Sequence, residues 1–441
     1  MPTTDGQGGK RRRELAGPAQ ALPGRRMPRV LRQFLATEAA GGIVLVVGAA
    51  LALAWANTPW QDSYDTLWHT ELALRLGRFA LVADLRHWVN EALMALFFLV
   101  VGLEIKRELV EGDLREPRAA ALPALAAAGG MIVPAVLFLV VTARSGGAEG
   151  WGIPIATDIA FALGALALVG PRTPGGLKLF LLSLAIVDDI GAIVVIAVFY
   201  SDEIDLPFLA AAAGLVAVMV GLRRARVVWV APYVVLGIGV WLATRASGVH
   251  ATIAGVVLGL LAPARPLTPA AVARRWATDL ADDPGPGELE AMTRLAKTSV
   301  SPAQRLEHLL HPWTSFVVLP LFALANAGVP VRSDSFDAPG ALAVALGVVL
   351  GLVVGKTVGI TLAASLAVRS GLGRLPEETT WASLGGAAFL GGIGFTVSLF
   401  IAELAYDPGP LQDAAKLGVL AASTIAALAG TLVLDRASRG T

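Results

Sequence analysis

The sequence predicts an all-α protein that crosses a membrane many times, and three observations support this. Of its 441 residues, 55% are apolar and only 16% are charged, and the mean hydropathy is +0.67. A soluble globular protein carries about 25% charged residues, so this chain has too few charges to cover a water-soluble body. The apolar residues also form long uncharged runs, and about 18 or more such residues can cross a bilayer as a helix. We therefore expect a polytopic membrane protein and not a soluble enzyme.

The overall charge and the cysteine content exclude further classes of function. The chain has 35 basic and 34 acidic residues and a formal net charge of +1, which gives no reason to expect a nucleic-acid partner. It has 0 cysteines, which excludes disulfides, thiolate metal sites and a cysteine nucleophile. We find no nucleotide-binding motif and expect no cofactor. If the protein moves a solute across the membrane, the expected driving force is therefore an ion gradient and not ATP.

The chain divides into twelve predicted spans with few polar segments between them. Residues 1–30 are interpreted as a disordered basic tail on the cytoplasmic side. Residues 31–436 are predicted to form a single transmembrane transporter domain, with a polar cytoplasmic linker at about 264–311 that ends in a short amphipathic piece. The predicted spans are approximately 37–57, 88–105, 119–143, 151–170, 177–200, 207–222, 227–246, 249–263, 312–331, 341–368, 379–405 and 411–435.

The basic residues between the spans predict the orientation. If the N-terminus is cytoplasmic, the inner segments hold 27 of the lysines and arginines and the outer segments hold 6. The remaining two, Lys356 and Lys416, lie within spans. Because cytoplasmic loops are enriched in Lys and Arg, we expect a multi-pass protein of the cell inner membrane with both termini in the cytoplasm.

Charged residues inside the apolar spans are the main candidates for function. Each costs about 2.5–3.5 kcal/mol to insert, and the candidates are Glu91, Asp158, Asp188, Asp189 and Lys356. Asp188 and Lys356 are both predicted near the membrane midplane. Since consecutive helical residues point in different directions, one aspartate can face the lysine while its neighbour faces a water-filled cavity.

An aspartate pair beside one lysine leaves one carboxylate in excess. Two adjacent carboxylates cannot both ionise cheaply, so the pair can hold protons or a hard monovalent cation in their place. That competition is the minimum chemistry of a cation/proton exchanger, which we do not class as an enzyme. Asp188 and Asp189 are thus the predicted ligands of a hard monovalent cation.

Three alternatives stay open from the residues alone. The charges could form a structural ion pair that joins two helices. An intramembrane aspartyl protease would need two carboxylates from different helices sharing a proton, for which Asp158 could supply the second. A passive cation channel could use acidic groups in an open pore, and it would carry cations without opposing proton movement.

Two predicted spans are interrupted. Span 151–170 contains Pro154 followed by Thr157 and Asp158, and span 379–405 contains two pairs of adjacent glycines. Paired interrupted spans are typical of transporter sites. Each is the middle of a triplet of spans, and the two triplets run in opposite directions, as in an inverted repeat. Asp158 could offset the positive ends of the half-helices, and Lys356 could offset the negative ends or serve as counter-ion to Asp188.

Several motifs resemble the NhaA-type bacterial sodium/proton antiporters, in order from about residue 30 to 435. Inverted repeats are a known feature of that family, so the repeat interpretation is not independent of the resemblance. The motifs are ATDIAF at 156–161, LAIVDDIGA at 184–192, GFT at 394–396, VGLEIKRE at 101–108, SGVHAT at 247–252 and RLEH at 305–308.

The resemblance implies about twelve helices, inverted-topology repeats and two discontinuous crossed helices, the fourth and the eleventh. It implies electrogenic, pH-regulated exchange of Na+ or Li+ for protons in sodium and pH homeostasis, and a homodimer in the lipid bilayer. By analogy Asp189 is the principal cation ligand, and Asp188 assists it and pairs with Lys356 in one state. Thr157 supplies an oxygen, and Asp158 balances the crossed helix ends.

The resemblance also implies a pH-sensing surface, for which a charged rim at the membrane interface is the alternative. Glu91 is a possible accessory residue, although better-known members carry an aspartate there. Thr357 replaces a proline and Gln304 a lysine of those members. The candidate pH-sensing residues are Glu104, Arg107, Glu108, His250, Glu307, His308 and His311, of which His250 is predicted at the outer side.

Overall fold

A computed structural model describes residues 29–439 apart from 77–78, 171–172, 202, 226, 228, 333–334 and most of 267–298. Residues 1–28 of the predicted tail and the centre of the predicted linker therefore lie outside the described residues. The described part is a bundle of helices with one small β-hairpin.

The helices account for most of the described chain. They are α1 Arg29–Ala56, α2 Gln61–Trp68, α3 Leu85–Val110, α4 Pro117–Thr142, α5 Ile159–Val169, α6 Gly175–Phe199, α7 Leu206–Arg224, α8 Val230–Ala246, α9 Thr252–Leu261, α10 Pro302–Asn326, α11 Ala341–Arg369, α12 Trp381–Leu390, α13 Phe395–Ala405 and α14 Pro410–Arg439. A 3₁₀ segment, Ala148–Ile155, precedes α5. Strands β1 Glu71–Leu76 and β2 Phe79–Asp84 pair antiparallel.

Each predicted span coincides with one of these helices or with a bent pair of helices. By length and composition, 7 of the described helices can cross a membrane, and up to 10 can if each bent pair is one span. The helices α8 and α9 are apolar but shorter. The prediction of an all-α protein with many membrane-crossing helices is therefore confirmed.

Two features differ from the sequence prediction. Helix α10 begins at Pro302 and not near 312, because Ser301 caps it by accepting a hydrogen bond from the Gln304 N–H at 3.2 Å. The end of the predicted linker is thus the first part of this helix. The β-hairpin was not predicted, although leucine alternates with other residues through Glu71–Leu76, which is typical of a strand.

Small residues bring the helices of the bundle close together. A Cβ added at Gly102 of α3 would lie 2.6 Å from the carbonyl oxygen of Val256 in α9, so only glycine permits this approach. Gly129 of α4 and Gly359 of α11 make an equivalent contact. These contacts fix α3 and α11, which carry charged residues of the candidate site.

Helix α11 contains a wider π turn, Gly351–Gly355, immediately before Lys356. A Cβ added at Gly355 would lie 2.7 Å from the Cα of Pro134, so the turn packs directly on the backbone of α4. Single π turns inside α-helices are frequent at functional sites. Here the turn sets the direction in which Lys356 leaves the helix.

The two interrupted spans are bent where the sequence predicts a break. The 3₁₀ segment and α5 meet at 43°, and α12 and α13 meet at 45°. The start of the 3₁₀ segment is held by Tyr200, whose hydroxyl donates to the Glu149 carbonyl at 2.7 Å and accepts from the Gly152 N–H at 3.0 Å.

Candidate ion site

The breaks of the two interrupted spans contact each other inside the bundle. The Asp158 N–H donates to the Ile393 carbonyl at 2.6 Å, and the Thr157 hydroxyl donates to the Gly391 carbonyl at 2.7 Å. The extended residues before α5 therefore supply donors to carbonyls in the break that follows α12, where the helical hydrogen-bond ladder ends. This contact places the Thr157 and Asp158 side chains at the centre of the bundle.

Asp158 caps two helices at once. One carboxylate oxygen accepts from the Phe161 N–H of α5 at 3.0 Å. The other accepts from the Thr396 N–H of α13 at 3.1 Å and from the Thr396 hydroxyl at 2.6 Å. The residue is 2% exposed. Since helix N-termini carry partial positive charge, the negative charge lies where two such ends meet.

Lys356 reaches the centre of the bundle from α11. Its Nζ forms an ion pair with the Asp188 carboxylate and donates to the Thr157 hydroxyl oxygen at 3.0 Å. Both Lys356 and Asp188 are 0% exposed. Of the two roles left open by the sequence, the ion pair is a direct contact, and Thr157 links Lys356 to the Gly391 carbonyl at the end of α12.

Asp189 points elsewhere, into a cavity of about 40 Å³. Its side chain forms no hydrogen bond with any described residue, although it is only 6% exposed. Since one water needs about 10–15 Å³ of such space, the cavity has room for a few waters or a small cation. Other polar residues that line it are Glu104, Thr157, Asp158, His311, Thr314, Ser315 and Thr396.

A charged cluster lies at the end of α3 and the start of α10. Arg107 forms an ion pair with Glu307 and lies 3.5 Å from the Glu108 carboxylate. Glu104 and His311 line the cavity from this side. The cavity therefore extends from Asp189 toward this cluster, which we call the Glu307 cluster and define as Glu104, Arg107, Glu108, Glu307 and His311. His308 is exposed on the surface of α10 and does not line the cavity.

Two other sequence candidates lie at the opposite end of α3. Glu91 forms an ion pair with Arg245 and lies 3.0 Å from the His87 ring. The His250 ring lies 5.8 Å from the Phe400 ring. The structure therefore separates His250 from the Glu307 cluster, although the resemblance grouped them together as pH-sensing residues. The predicted topology had already placed His250 on the outer side.

Sequence reasoning assigns no role to several residues of this region. Thr396, the partner of Asp158, stands out in the sequence only as part of a motif, although its place beside the glycine break is a usable signal. Arg245 lies at the end of a predicted span, and its contact with Glu91 joins segments far apart in sequence. His87 lies just before a predicted span, one helical turn from Glu91. Glu403 forms an ion pair with Lys416, which joins α13 to α14. The sequence signal for this pair is the presence of two opposite charges within apolar spans.

The sequence model of one family, Na+/H+ antiporter 1, matches residues 32–434 of the chain. This chain belongs to the Na+/H+ antiporter 1 family. The match runs from the first turn of α1 to near the end of α14 and includes every residue of the candidate site.

Curated relatives named as Na+/H+ antiporters match this chain over nearly its whole length. It is 47% identical to a Frankia alni protein named Na(+)/H(+) antiporter NhaA 3, over 96% of this chain and 93% of that protein. It is 42% identical to the Na(+)/H(+) antiporter NhaA of Rhizobium meliloti, over 93% of this chain and 95% of that protein.

A solved structure has the same overall fold. The chain superposes on the sodium proton antiporter MjNhaP1 from Methanocaldococcus jannaschii with a TM-score of 0.51, covering 93% of this chain and 95% of that one. The sequence identity is 12%, so this likeness concerns the fold alone.

Proposed function

We propose that this chain is a secondary active antiporter that exchanges cytoplasmic Na+ for external protons across a bacterial inner membrane. Its membership of a Na+/H+ antiporter family supports this. The single observation that carries the assignment of the site is the contrast between two adjacent aspartates. Asp188 is neutralised by Lys356, whereas Asp189 faces a cavity and has no hydrogen-bond partner among the described residues.

Asp189 is the principal ligand in this proposal. When it is ionised, its carboxylate and the nearby Thr157 hydroxyl offer oxygen atoms to a hard cation such as Na+, and Li+ has the same preference for oxygen. When it is protonated, it has no charge with which to hold the cation. One carboxylate therefore binds either Na+ or a proton but not both. Exchange follows if the protein changes its access from one side of the membrane to the other only when Asp189 carries Na+ or a proton.

Asp188 and Lys356 form the second part of the proposed site. Their ion pair neutralises the charge of Asp188 until Na+ approaches. Asp188 can therefore assist Asp189 in binding Na+ only if its carboxylate separates from the Lys356 ammonium group. Protons carried by Asp188 or Lys356 in addition to Asp189 would give more than one proton per Na+. On this basis we propose that exchange is electrogenic and that the membrane potential assists Na+ extrusion.

The two bent spans provide the moving part of the proposal. We assign α4, the 3₁₀ segment with α5, and α6 to one repeat, and α11, α12 with α13, and α14 to an inverted second repeat, within about twelve spans. Asp158 balances the half-helix ends where the bent spans cross. In this proposal a small relative movement of the two bent spans at their breaks is the step that changes access.

The basic residues between the spans support an orientation with both termini and the Glu307 cluster in the cytoplasm. In that orientation the cavity takes Na+ from the cytoplasm. The Glu307 cluster is then the proposed pH-sensing surface at its mouth. The lipid bilayer is the expected environment, and a homodimer is the expected assembly.

Proton flux in proteoliposomes tests the proposed function. We expect added Na+ or Li+, but not K+, to release protons and dequench an internal pH dye. Silence at every pH from about 6 to about 9, which brackets the titration of histidine, would contradict the proposal if the protein is folded. Sodium uptake without proton release would identify a cation channel instead.

Glu307→Gln tests the pH-sensing cluster. The introduced amide can still accept a hydrogen bond from Arg107, but it cannot carry the charge that Arg107 faces. Charged hydrogen bonds contribute about 1.5–3 kcal/mol, so we expect the pH of half-activation to move by about one unit while maximal exchange changes little. The measurement is the dye assay over a pH series.

Glu116→Gln is the matched control for this change. Glu116 is exposed between α3 and α4, at the same end of the bundle. It should leave the pH profile where it is. A profile that does not move in Glu307→Gln, or that moves equally in both variants, would remove Glu307 from the sensor.

A further inference from the structure

Helix α10 contributes two hydroxyl side chains to the cavity that the proposed mechanism does not use. They are Thr314 and Ser315, which are 3% and 4% exposed and line the cavity together with Asp189. We call these two residues the hydroxyl pair. Because buried hydroxyls normally form hydrogen bonds within the protein, the partners of this pair determine what it can bind.

The Thr314 hydroxyl already donates its proton within α10. It donates to the His311 carbonyl, one turn earlier in the helix, at 2.9 Å. Its oxygen therefore offers only lone pairs to the cavity, which can accept a hydrogen bond or coordinate a cation. Thr157, which also lines the cavity, donates its proton to the Gly391 carbonyl in the same way.

Ser315 forms no hydrogen bond with any described residue, although it is almost fully buried. Helix α1 packs directly against it, since a Cβ added at Gly41 would lie 2.9 Å from the Ser315 Cβ. A buried hydroxyl without a partner is unfavourable. Ser315 lines the cavity, so its hydroxyl is available to a ligand there.

The backbone at the hydroxyl pair forms a π turn, Thr314–Val318. The described helices contain two other π turns, Val89–Leu93, which includes Glu91, and Gly351–Gly355, which precedes Lys356. Single π turns inside α-helices are frequent at functional sites. Each π turn in the described part of the chain thus lies at a polar group within a span, and only the hydroxyl pair has no assigned role.

The hydroxyl pair lies deeper in the bundle than the charged groups of the Glu307 cluster. His311 lines the cavity beside that cluster, and the hydroxyl pair follows it by about one helical turn. Leu319, about one turn further along α10, also lines the cavity. A cation that enters past the Glu307 cluster therefore meets the hydroxyl pair in the same cavity as Asp189.

Much of the remaining cavity wall cannot coordinate a cation. Its apolar members include Phe97, Val100, Val101, Leu319 and Val397. A hard cation that enters such a cavity loses part of its hydration shell, and protein oxygen atoms must replace the lost water ligands. The hydroxyl pair supplies two such atoms on the α10 side.

We infer that Thr314 and Ser315 contact the cation in the cavity, directly or through one water, and strengthen its binding at Asp189. This inference deepens the proposed antiport function and rests on it. Asp189 supplies the negative charge, and the hydroxyl pair supplies neutral oxygen atoms that replace water. The hydroxyl pair therefore sets the affinity for Na+ and not the competition between Na+ and protons.

Binding of radioactive Na+ to purified protein tests the hydroxyl pair without requiring exchange. The double variant Thr314→Val with Ser315→Ala removes both hydroxyls and changes little volume. We expect its Kd for Na+ to rise about tenfold, as expected for the loss of a contact with a charged group. In proteoliposomes the KM for Na+ should rise by a similar factor, and the maximal rate at saturating Na+ should change little.

Thr424→Val with Ser365→Ala is the matched control. Thr424 donates to the Leu420 carbonyl and Ser365 to the Leu362 carbonyl, at 2.8 and 2.9 Å, and neither lines the cavity. This control makes the same two chemical changes and should keep the parental Kd and KM. Thr314→Ser, which retains the hydroxyl, should also keep the parental Kd.

A parental Kd in the folded double variant would overturn the inference, and so would an equal rise in the matched control. Ser315→Ala alone breaks no hydrogen bond with a described residue, so it should raise the Kd in the same direction and serves if the double variant does not fold. Failure of the parent protein to bind Na+ would contradict the proposed function as well. Parental binding that the double variant retains would contradict this inference alone.

Discussion

Asp189→Asn is expected to abolish coupled exchange while leaving the protein folded. Asparagine cannot take up and release a proton, so the competition between Na+ and protons at this position is lost. It also cannot offer a negative charge to the cation. Charge-assisted contacts contribute about 1.5–3 kcal/mol, so Na+ binding should weaken by about tenfold or more. Dye dequenching in proteoliposomes and Na+ binding to purified protein measure the two effects.

The folded state should tolerate this substitution. Asp189 is 6% exposed and forms no hydrogen bond or ion pair with a described residue, so the near-isosteric change breaks neither kind of contact. A neutral amide is easier to bury than an unpaired carboxylate. The melting temperature of the detergent-solubilised variant should therefore equal or exceed that of the parent.

Asp435→Asn provides the matched control for Asp189→Asn. It makes the same chemical change near the end of α14, where Asp435 is partly exposed and pairs with Arg439 one turn away. Exposed pairs of this kind contribute about 0.2–1 kcal/mol, so exchange should be unaffected. Sodium-driven proton release that persists in Asp189→Asn would show that Asp189 is not the principal ligand.

The membrane plan of the fold could be predicted from sequence because the bilayer imposes it. Only helices of sufficient apolar length satisfy their backbone groups in lipid, so apolar runs identify the spans directly. The two bent spans were also predictable, since Pro154 and the glycines at 391–394 prevent a continuous helix. The start of α10 at Pro302 was not, because its first turns are amphipathic and lie outside the apolar run.

The site could be predicted in part, and the limit has a physical cause. Charges inside apolar spans are costly and therefore conspicuous, which identifies Asp158, Asp188, Asp189 and Lys356. Which carboxylate faces the lysine depends on the packing of α11 against α4 and on the π turn before Lys356, and no local pattern specifies either.

Lys356→Ala is expected to destabilise the protein strongly. It leaves Asp188, which is 0% exposed, without the ammonium group that neutralises it. Removing one member of a buried ion pair costs about 3–5 kcal/mol. We expect a clear fall in the melting temperature of the detergent-solubilised protein and a lower yield of folded material.

The double variant Lys356→Ala with Asp188→Asn distinguishes loss of the ion pair from loss of packing. If the unpaired charge causes the instability, neutralising Asp188 should restore part of the lost stability, so the effects of the two changes will not add. Lys178→Ala is the control for removing a lysine side chain. Lys178 is 9% exposed on α6 and forms no ion pair with a described residue, so its loss should cost much less.

The same double variant separates structure from transport. If Lys356 acts only as the counter-ion of Asp188, the double variant recovers stability, and Asp189 keeps its cavity and its ability to exchange Na+ for protons. If Lys356 also carries a proton in each cycle, stability recovers but the number of protons released per Na+ falls. If the two stability changes are fully additive, the Lys356–Asp188 contact contributes nothing to the free energy of unfolding. Neutralisation of Asp188 by Lys356 would then not explain why Asp189 alone faces the ion.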